Sequence, residues 1–305
     1  MSTADTQGEA MSALVGPEQL RSVLDHASPP LLLDVRWTLA GADPEGYRGA
    51  HLPGAVFCDL DTVLADPPGA GGRHPLPSPE RLAESFRLLG VGPGSSVVVY
   101  DGGVAAAAAR AWWCLRWIGH DDVRVLDGGL PAWLAAGGVV ESGEVAPVSA
   151  SEPPGGERGG AAYPPPERVP SAHGATRPRA VVDAEEVLAG QAGVLLDARA
   201  GERFRGETEP IDPVAGHIPG ARSLPAARLL DGDGRYLPAP ALRDLLAQAG
   251  AVPGGGPVTA YCGSGVTAAQ LVLAAHEAGI AASLYPGSWS HWITDPDRPV
   301  ATGEG

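Results

Sequence analysis

Apolar residues in this chain come in short runs. LLLDV at 31–35, VVVYD at 97–101, VRVLD at 123–127, VLLDA at 194–198 and VTAYC at 258–262 each place strand-forming residues together and then stop at a polar or small residue. A run of that length bounded by turn residues is the pattern of a strand buried on both faces, as in a parallel sheet covered by helices. Between the runs lie two Ala-rich helical stretches, AAAAARAWWCLRWIG and VTAAQLVLAAHEAGI. Short strands alternating with helices predict small α/β domains.

The pattern occurs twice. Residues 31–61 read LLLDVRWTLAGADPEGYRGAHLPGAVFCDLD, and residues 194–225 read VLLDARAGERFRGETEPIDPVAGHIPGARSLP. Each copy opens on a buried run ending in Asp-x-Arg, as Asp34 and Arg36 or Asp197 and Arg199, and reaches a His-x-Pro-Gly-Ala turn at His51 or His217. RLLGVGPGSSVVVYDGG then aligns with LLAQAGAVPGGGPVTAYCGSG, which sets Asp101 where the second copy has Cys262. The duplication predicts two tandem domains, an N-terminal one over 12–150 and a C-terminal one over 179–305. Between them, 151–178 is rich in Pro, Gly and Glu with no apolar period, and reads as a semi-rigid linker. The thiol occurs in one copy only, so the first domain reads as non-catalytic and the second as catalytic.

Length and composition agree with this plan. A chain of 305 residues, 44% apolar, suffices for two domains with a core each. A net charge of −15 excludes a nucleic-acid partner, since phosphate backbones are held by clustered cations. Three scattered cysteines, Cys58, Cys114 and Cys262, do not make a disulfide framework and fit a reducing compartment. The N-terminus has no basic region followed by an apolar core, and no apolar run is long enough to span a bilayer, so a soluble cytoplasmic protein is expected, with no membrane partner. No clustered Cys/His spacing and no strand-anchored phosphate loop with Lys is present, so neither a metal nor an organic cofactor is expected.

The chemistry concentrates at Cys262, where an apolar strand stops and a helix begins. Backbone N–H groups and the positive end of the helix favour a thiolate there. In Cys262-Gly263-Ser264-Gly265-Val266-Thr267 two glycines let successive N–H groups turn inward around an anion, whether a thiolate or a thiolate carrying one more sulfur. Cys58, in AVFCDL, and Cys114, in AWWCLRW, have no such loop and read as small buried packing thiols. A cysteine phosphatase would need an Arg after five intervening residues to clamp phosphate, and that position is Ala268.

The duplicated Asp-x-Arg and His-x-Pro-Gly-Ala motifs, the Cys262 loop and the closing GSWSHWITDPDRPVATG resemble the tandem-domain rhodanese-superfamily sulfurtransferases over residues 12–303. That resemblance implies two rhodanese-like α/β domains, each a parallel sheet with helices on both faces, and transfer of a sulfane sulfur through a Cys262 persulfide. The loop CGSGVTA resembles the 3-mercaptopyruvate type, with Gly263 and Ser264 where the thiosulfate type carries basic residues. By the same resemblance Ser264, His74 in GGRHPLP and Asp61 in CDLD form a proton relay like that of serine proteases. Arg203 in GERFRG holds the donor's carboxylate, and Gly263, Gly265, Val266 and Thr267 line the anion site. Taken singly, His74 also reads as an exposed loop histidine, Asp61 as a turn or cap carboxylate, and Arg203 as a helix arginine paired with Glu202 or Glu207.

Such enzymes often carry a second arginine soon after this one, but ETEPIDPVAGH has none, which leaves one clear clamp. The Asp-x-Arg arginines and the two turn histidines read as structural. Donors implied are 3-mercaptopyruvate or, alternatively, thiosulfate; acceptors are cyanide, small thiols or a thioredoxin-like protein. A persulfide carrier or sensor without turnover is the other alternative.

Overall fold

The structure is a computed structural model, and it describes residues 12–145 and 181–304. The expected linker at 151–178 lies outside the described residues.

Each half is built on a parallel sheet. In the first, the strand order is Leu14–Val15, Val123–Leu126, Val97–Tyr100, Leu31–Asp34, Val56–Phe57. In the second it is Ser283–Leu284, Val258–Tyr261, Val194–Asp197, Arg222–Ser223, with Val181 adding a parallel bridge to Leu284 in the place of the first sheet's edge strand. The strands Val97–Tyr100 and Val258–Tyr261 are buried along their whole length, which is why their sequences carry no alternation.

The two halves repeat their internal fastenings. Asp34 pairs in register with Tyr100, and Asp197 with Tyr261. The Tyr100 hydroxyl accepts from the Leu52 N–H at 2.9 Å and that of Tyr261 from the Ile218 N–H at 3.2 Å, which fixes each His-x-Pro-Gly turn. Arg36 bonds Asp34 and the Ala50 carbonyl, while Arg199 bonds Asp197 and the Gly216 carbonyl. The Nδ1 atoms of His51 and His217 lie 2.9 and 2.8 Å from the carbonyls of Tyr47 and Phe204. These contacts stay inside each half, as expected for structural residues.

The halves meet through the helices Ala106–Trp117 and Val266–Glu277, which follow the Asp101 and Cys262 loops and pack along one another. Both are buried on nearly every side, so one continuous apolar cluster crosses the interface and includes Cys58 and Cys114, each 0% exposed. The small alanines let the two backbones approach closely. Burial pushes both thiols up, Cys114 to about 11. Among the described residues no helix is long and apolar enough to cross a membrane.

Candidate active site

Cys262 follows the last residue of a central strand, and the helix Val266–Glu277 starts four residues later. Its Sγ accepts the Gly265 N–H at 3.1 Å, and its own N–H donates to Ser288 Oγ at 3.1 Å. The loop is tied from behind: the Trp289 N–H donates to the Cys262 carbonyl at 3.0 Å and the Ser290 N–H to the Gly263 carbonyl at 2.9 Å. Gly265 adopts φ 81° and faces the Pro286 carbonyl, a space that admits no Cβ. Val266 and Thr267 form the first turn of the helix, whose leading N–H groups have no intrahelical acceptor. The thiol is 2% exposed and sits at the positive end of that helix, an arrangement that favours negative charge on sulfur.

The first domain supplies the opposite wall through residues 61–74. Gly69 and Gly72 exchange backbone hydrogen bonds at 3.0 Å, closing a tight loop. Gly72, at φ 102°, lies so near Ser290 that a Cβ would stand 2.8 Å from its Oγ, and the Arg73 N–H donates to that same Oγ at 3.1 Å. Docking the loop this way carries Arg73 and His74 to the second domain. His74 Nδ1 is 2.8 Å from Ser264 Oγ, and its Nε2 is 3.4 Å from Asp61 Oδ1. Asp61 is aimed by the hairpin Trp37–Thr38/Gly41–Ala42, from which the Trp37 indole N–H and the Ala42 N–H donate at 3.1 and 3.0 Å. Ser264, His74 and Asp61 therefore form one line across the domain boundary. The ring faces its partners with Nδ1 toward the serine, the reverse of the serine-protease arrangement.

His74 titrates far below its ordinary value, at about 4, chiefly because it is buried; the Arg110 and Arg73 charges act in the same direction and Asp61 opposes them. The ring is neutral at neutral pH. With Nε2–H directed to the Asp61 carboxylate, Nδ1 is free to accept the Ser264 hydroxyl proton.

Arg203, on the helix Gly201–Arg205, does not pair with Glu202 or Glu207. Its guanidinium bonds Glu209 at 2.6 Å and Asp212 at 3.1 Å, both from the segment after the helix. Asp212 also pairs with Arg73 of the first domain. A Cβ built on Gly263 would meet Nη2 of Arg73 at 2.6 Å and Nη2 of Arg203 at 3.7 Å, so both guanidinium groups lie against the residue that follows the cysteine. The single arginine expected at the cysteine loop is joined there by a second guanidinium, that of Arg73, contributed by the other domain. Its signal was its adjacency to His74 in GGRHPLP, but only the pairing of two distant segments brings it beside Arg203.

A third cation lies beneath the site. Arg110, 0% exposed in the interface helix, donates to the carbonyls of Leu64 at 3.2 Å, Gly265 at 3.4 Å and His74 at 3.5 Å, and stacks near the Trp113 ring. It joins the cysteine loop to the histidine loop. Sequence reasoning passed over it because a lone arginine in an Ala/Trp helix carries no motif.

Two parallel α/β domains, one bearing a buried cysteine at a strand–loop–helix junction lined by arginines from both halves, define a tandem-domain α/β protein built on one repeated unit. The chain belongs to the rhodanese-like domain family, whose profile matches residues 16–136 and 181–295. A Mycobacterium tuberculosis relative, provisionally named thiosulfate sulfurtransferase SseB, is 44% identical over 95% of this chain and 97% of its own length. A Pseudomonas aeruginosa relative, provisionally named 3-mercaptopyruvate sulfurtransferase, is 46% identical over 90% of this chain and 93% of its own. The solved structure of Escherichia coli SseA, described as a 3-mercaptopyruvate sulfotransferase, superposes with a TM-score of 0.70 at 32% identity, covering 92% of this chain and 99% of that one.

Proposed function

We propose that the chain is a sulfurtransferase that takes sulfur from 3-mercaptopyruvate, holds it as a Cys262 persulfide and passes it to a nucleophilic acceptor. The observation that carries this reading is the set of groups around one sulfur atom. Beside the Cys262 loop lie two guanidinium groups, suited to bind a carboxylate, and a Ser-His-Asp line, suited to move a proton, which supports this reading.

In the first half-reaction the Cys262 thiolate attacks the donor's sulfur. The new S–S bond forms as the donor's C–S bond breaks, and its electron pair passes into the adjacent carbonyl as an enolate. Ser264, whose one hydroxyl proton is directed to neutral His74 as oriented by Asp61, accepts the proton of the donor's thiol on its oxygen and passes it toward the enolate carbon. The proton that was on the donor's thiol ends on the enolate carbon, which leaves as pyruvate. In the second half-reaction the acceptor's lone pair takes the outer sulfur, and the S–S electron pair returns to Cys262 as thiolate. Arg73 and Arg203 hold the donor's carboxylate through the first half-reaction, so proximity rather than new bonding supplies much of its rate. The N–H groups from Gly263 to Thr267 stabilise whichever sulfur carries the charge.

Cyanide, small thiols and a thioredoxin-like protein all fit the acceptor's chemistry, and three reduced cysteines suit a cytoplasmic setting. Thiosulfate is the second candidate donor, supported by the name of the Mycobacterium tuberculosis relative. The test is steady-state transfer to cyanide from 3-mercaptopyruvate and from thiosulfate, with Cys262→Ser as the blank. A preference for mercaptopyruvate supports the reading. A preference for thiosulfate reassigns the donor and removes the need for the Ser264 relay, and turnover by the Cys262→Ser protein eliminates the mechanism.

A further inference from the structure

Asp212 forms ion pairs with both clamp arginines, with Arg73 from the first domain and, at 3.1 Å, with Arg203 from the second. Glu209 lies beside it, accepting from Arg203 at 2.6 Å and receiving the Asp212 N–H on the same oxygen at 3.1 Å. Both carboxylate side chains are 4% exposed, although they belong to an otherwise open segment whose Ile211 and Val214 face solvent. Glu209 also accepts from the neighbouring Arg199 at 3.3 Å, although Arg199 already pairs with Asp197 at 2.7 Å.

The charges at the donor site therefore cancel before any donor arrives. In this connected set Arg73, Arg199 and Arg203 contribute three positive charges and Asp197, Glu209 and Asp212 three negative ones. A buried ion set of this kind is poorly screened by solvent, so each additional negative charge on the ligand is opposed by the fixed carboxylates. One carboxylate on the ligand can share the guanidinium groups with Asp212. A dianion brings a second charge for which no cation is free among these residues. The absence of a side chain at Gly263 fits the same logic: the guanidinium of Arg73 occupies that space, and its charge is shared with Asp212.

We infer that Asp212, supported by Glu209, sets the charge selectivity of the donor site, admitting a monoanionic donor and disfavouring a dianionic one by occupying the cross-domain arginine pair. This deepens the sulfurtransferase reading and rests on it. Asp212 acts through Arg73 and Arg203 and is a positioning residue, and it also ties the two halves of the site together.

The test is the ratio of kcat/KM for thiosulfate to that for 3-mercaptopyruvate. In Asp212→Asn, which keeps the shape and removes the charge, the ratio rises about tenfold or more. Asp212→Glu keeps the wild-type ratio, and Glu209→Gln moves it in the same direction as Asp212→Asn. A purely structural role would lower both donors together and leave the ratio unmoved, and that result overturns the inference. A parallel titration measures binding of sulfate and of pyruvate by calorimetry. The expected outcome is a tenfold gain of sulfate relative to pyruvate in Asp212→Asn, and an unchanged relative affinity refutes the charge role without any turnover. If the wild-type chain moves sulfur from neither donor, the sulfurtransferase reading fails, while the calorimetry still decides the charge selectivity.

Discussion

The Asp101 and Cys262 loops begin alike, each at the end of a central buried strand beside a tyrosine that fixes a His-x-Pro-Gly turn, and each leads into an interface helix. They differ in what the loop encloses. The Asp101 carboxylate accepts the N–H groups of Gly103 at 2.8 Å, Ala105 at 3.1 Å and Ala108 at 3.2 Å, so the first loop is filled by its own anion. Burial raises that carboxyl's pKa while these N–H groups pull it back. The Cys262 loop presents its donors to a sulfur that can be extended by one more atom. The two loops share one anion-holding frame, filled in the first copy by the Asp101 carboxylate and in the second by the Cys262 sulfur.

The surroundings diverge in parallel. The two turn histidines align Tyr47 with Phe204, which sets Gly46 where Arg203 stands. Gly46 is crowded by its own helix cap, Asp43, with no room for a side chain. The next arginines, Arg48 and Arg205, both point outward to surface glutamates. The first half thus has no counterpart of Arg203, while its Arg73, His74 and Asp61 face the cysteine loop of the second.

The comparison predicts that a thiol alone does not make the site. Moving it to the first loop, in the double variant Asp101→Cys/Cys262→Ser, should leave cyanide-coupled transfer at least about 10³-fold below wild type, as Cys262→Ser does alone. Recovery of activity would show that the frame is sufficient. Next in size, Arg203→Ala and Arg73→Ala should each lower kcat/KM for mercaptopyruvate by about 10–100-fold, because each removes half of a charge-assisted clamp. Arg205→Ala, on the outward-facing arginine, should change it by less than about twofold, and equal losses in all three would dissolve the distinction between the inward and outward arginines.

Smaller effects follow from burial. His74 is held neutral to about pH 4 in the fold, against about 6.5 in an unfolded chain, so the unfolded state binds the extra proton between those values. Its contribution is fully present above pH 6.5 and is lost as pH falls toward 4. Wild type should therefore lose stability relative to His74→Asn across that window, on the order of 1–3 kcal/mol in denaturant unfolding. A difference that does not change with pH would show that the ring is not held neutral. Smallest of all, Cys58→Ala/Cys114→Ala should leave transfer within about twofold while costing about 1–3 kcal/mol of stability, since both thiols fill the core beneath the site.

Features written locally were legible in the sequence. The doubled strand runs, the Asp-x-Arg and His-x-Pro-Gly turns and the glycines around Cys262 carry their own signals of period and turn chemistry. Ser264, His74 and Asp61 were named only through resemblance, since each alone has an ordinary structural use. Arg73, Asp212 and Arg110 escaped because their meaning lies in partners far along the chain. Arg73 meets Asp212 across 139 positions, and Arg110 meets Gly265 across 155. No periodicity encodes such pairings, so an arginine contributed from the other domain leaves no signal beside Arg203.

The most direct test of the account is the mass of the intact protein after exposure to 3-mercaptopyruvate alone, followed by peptide mapping. The account predicts a gain of one sulfur atom, located on the peptide that contains Cys262 and removed by cyanide. A sulfur on Cys58 or Cys114, or none that cyanide can remove, would contradict it.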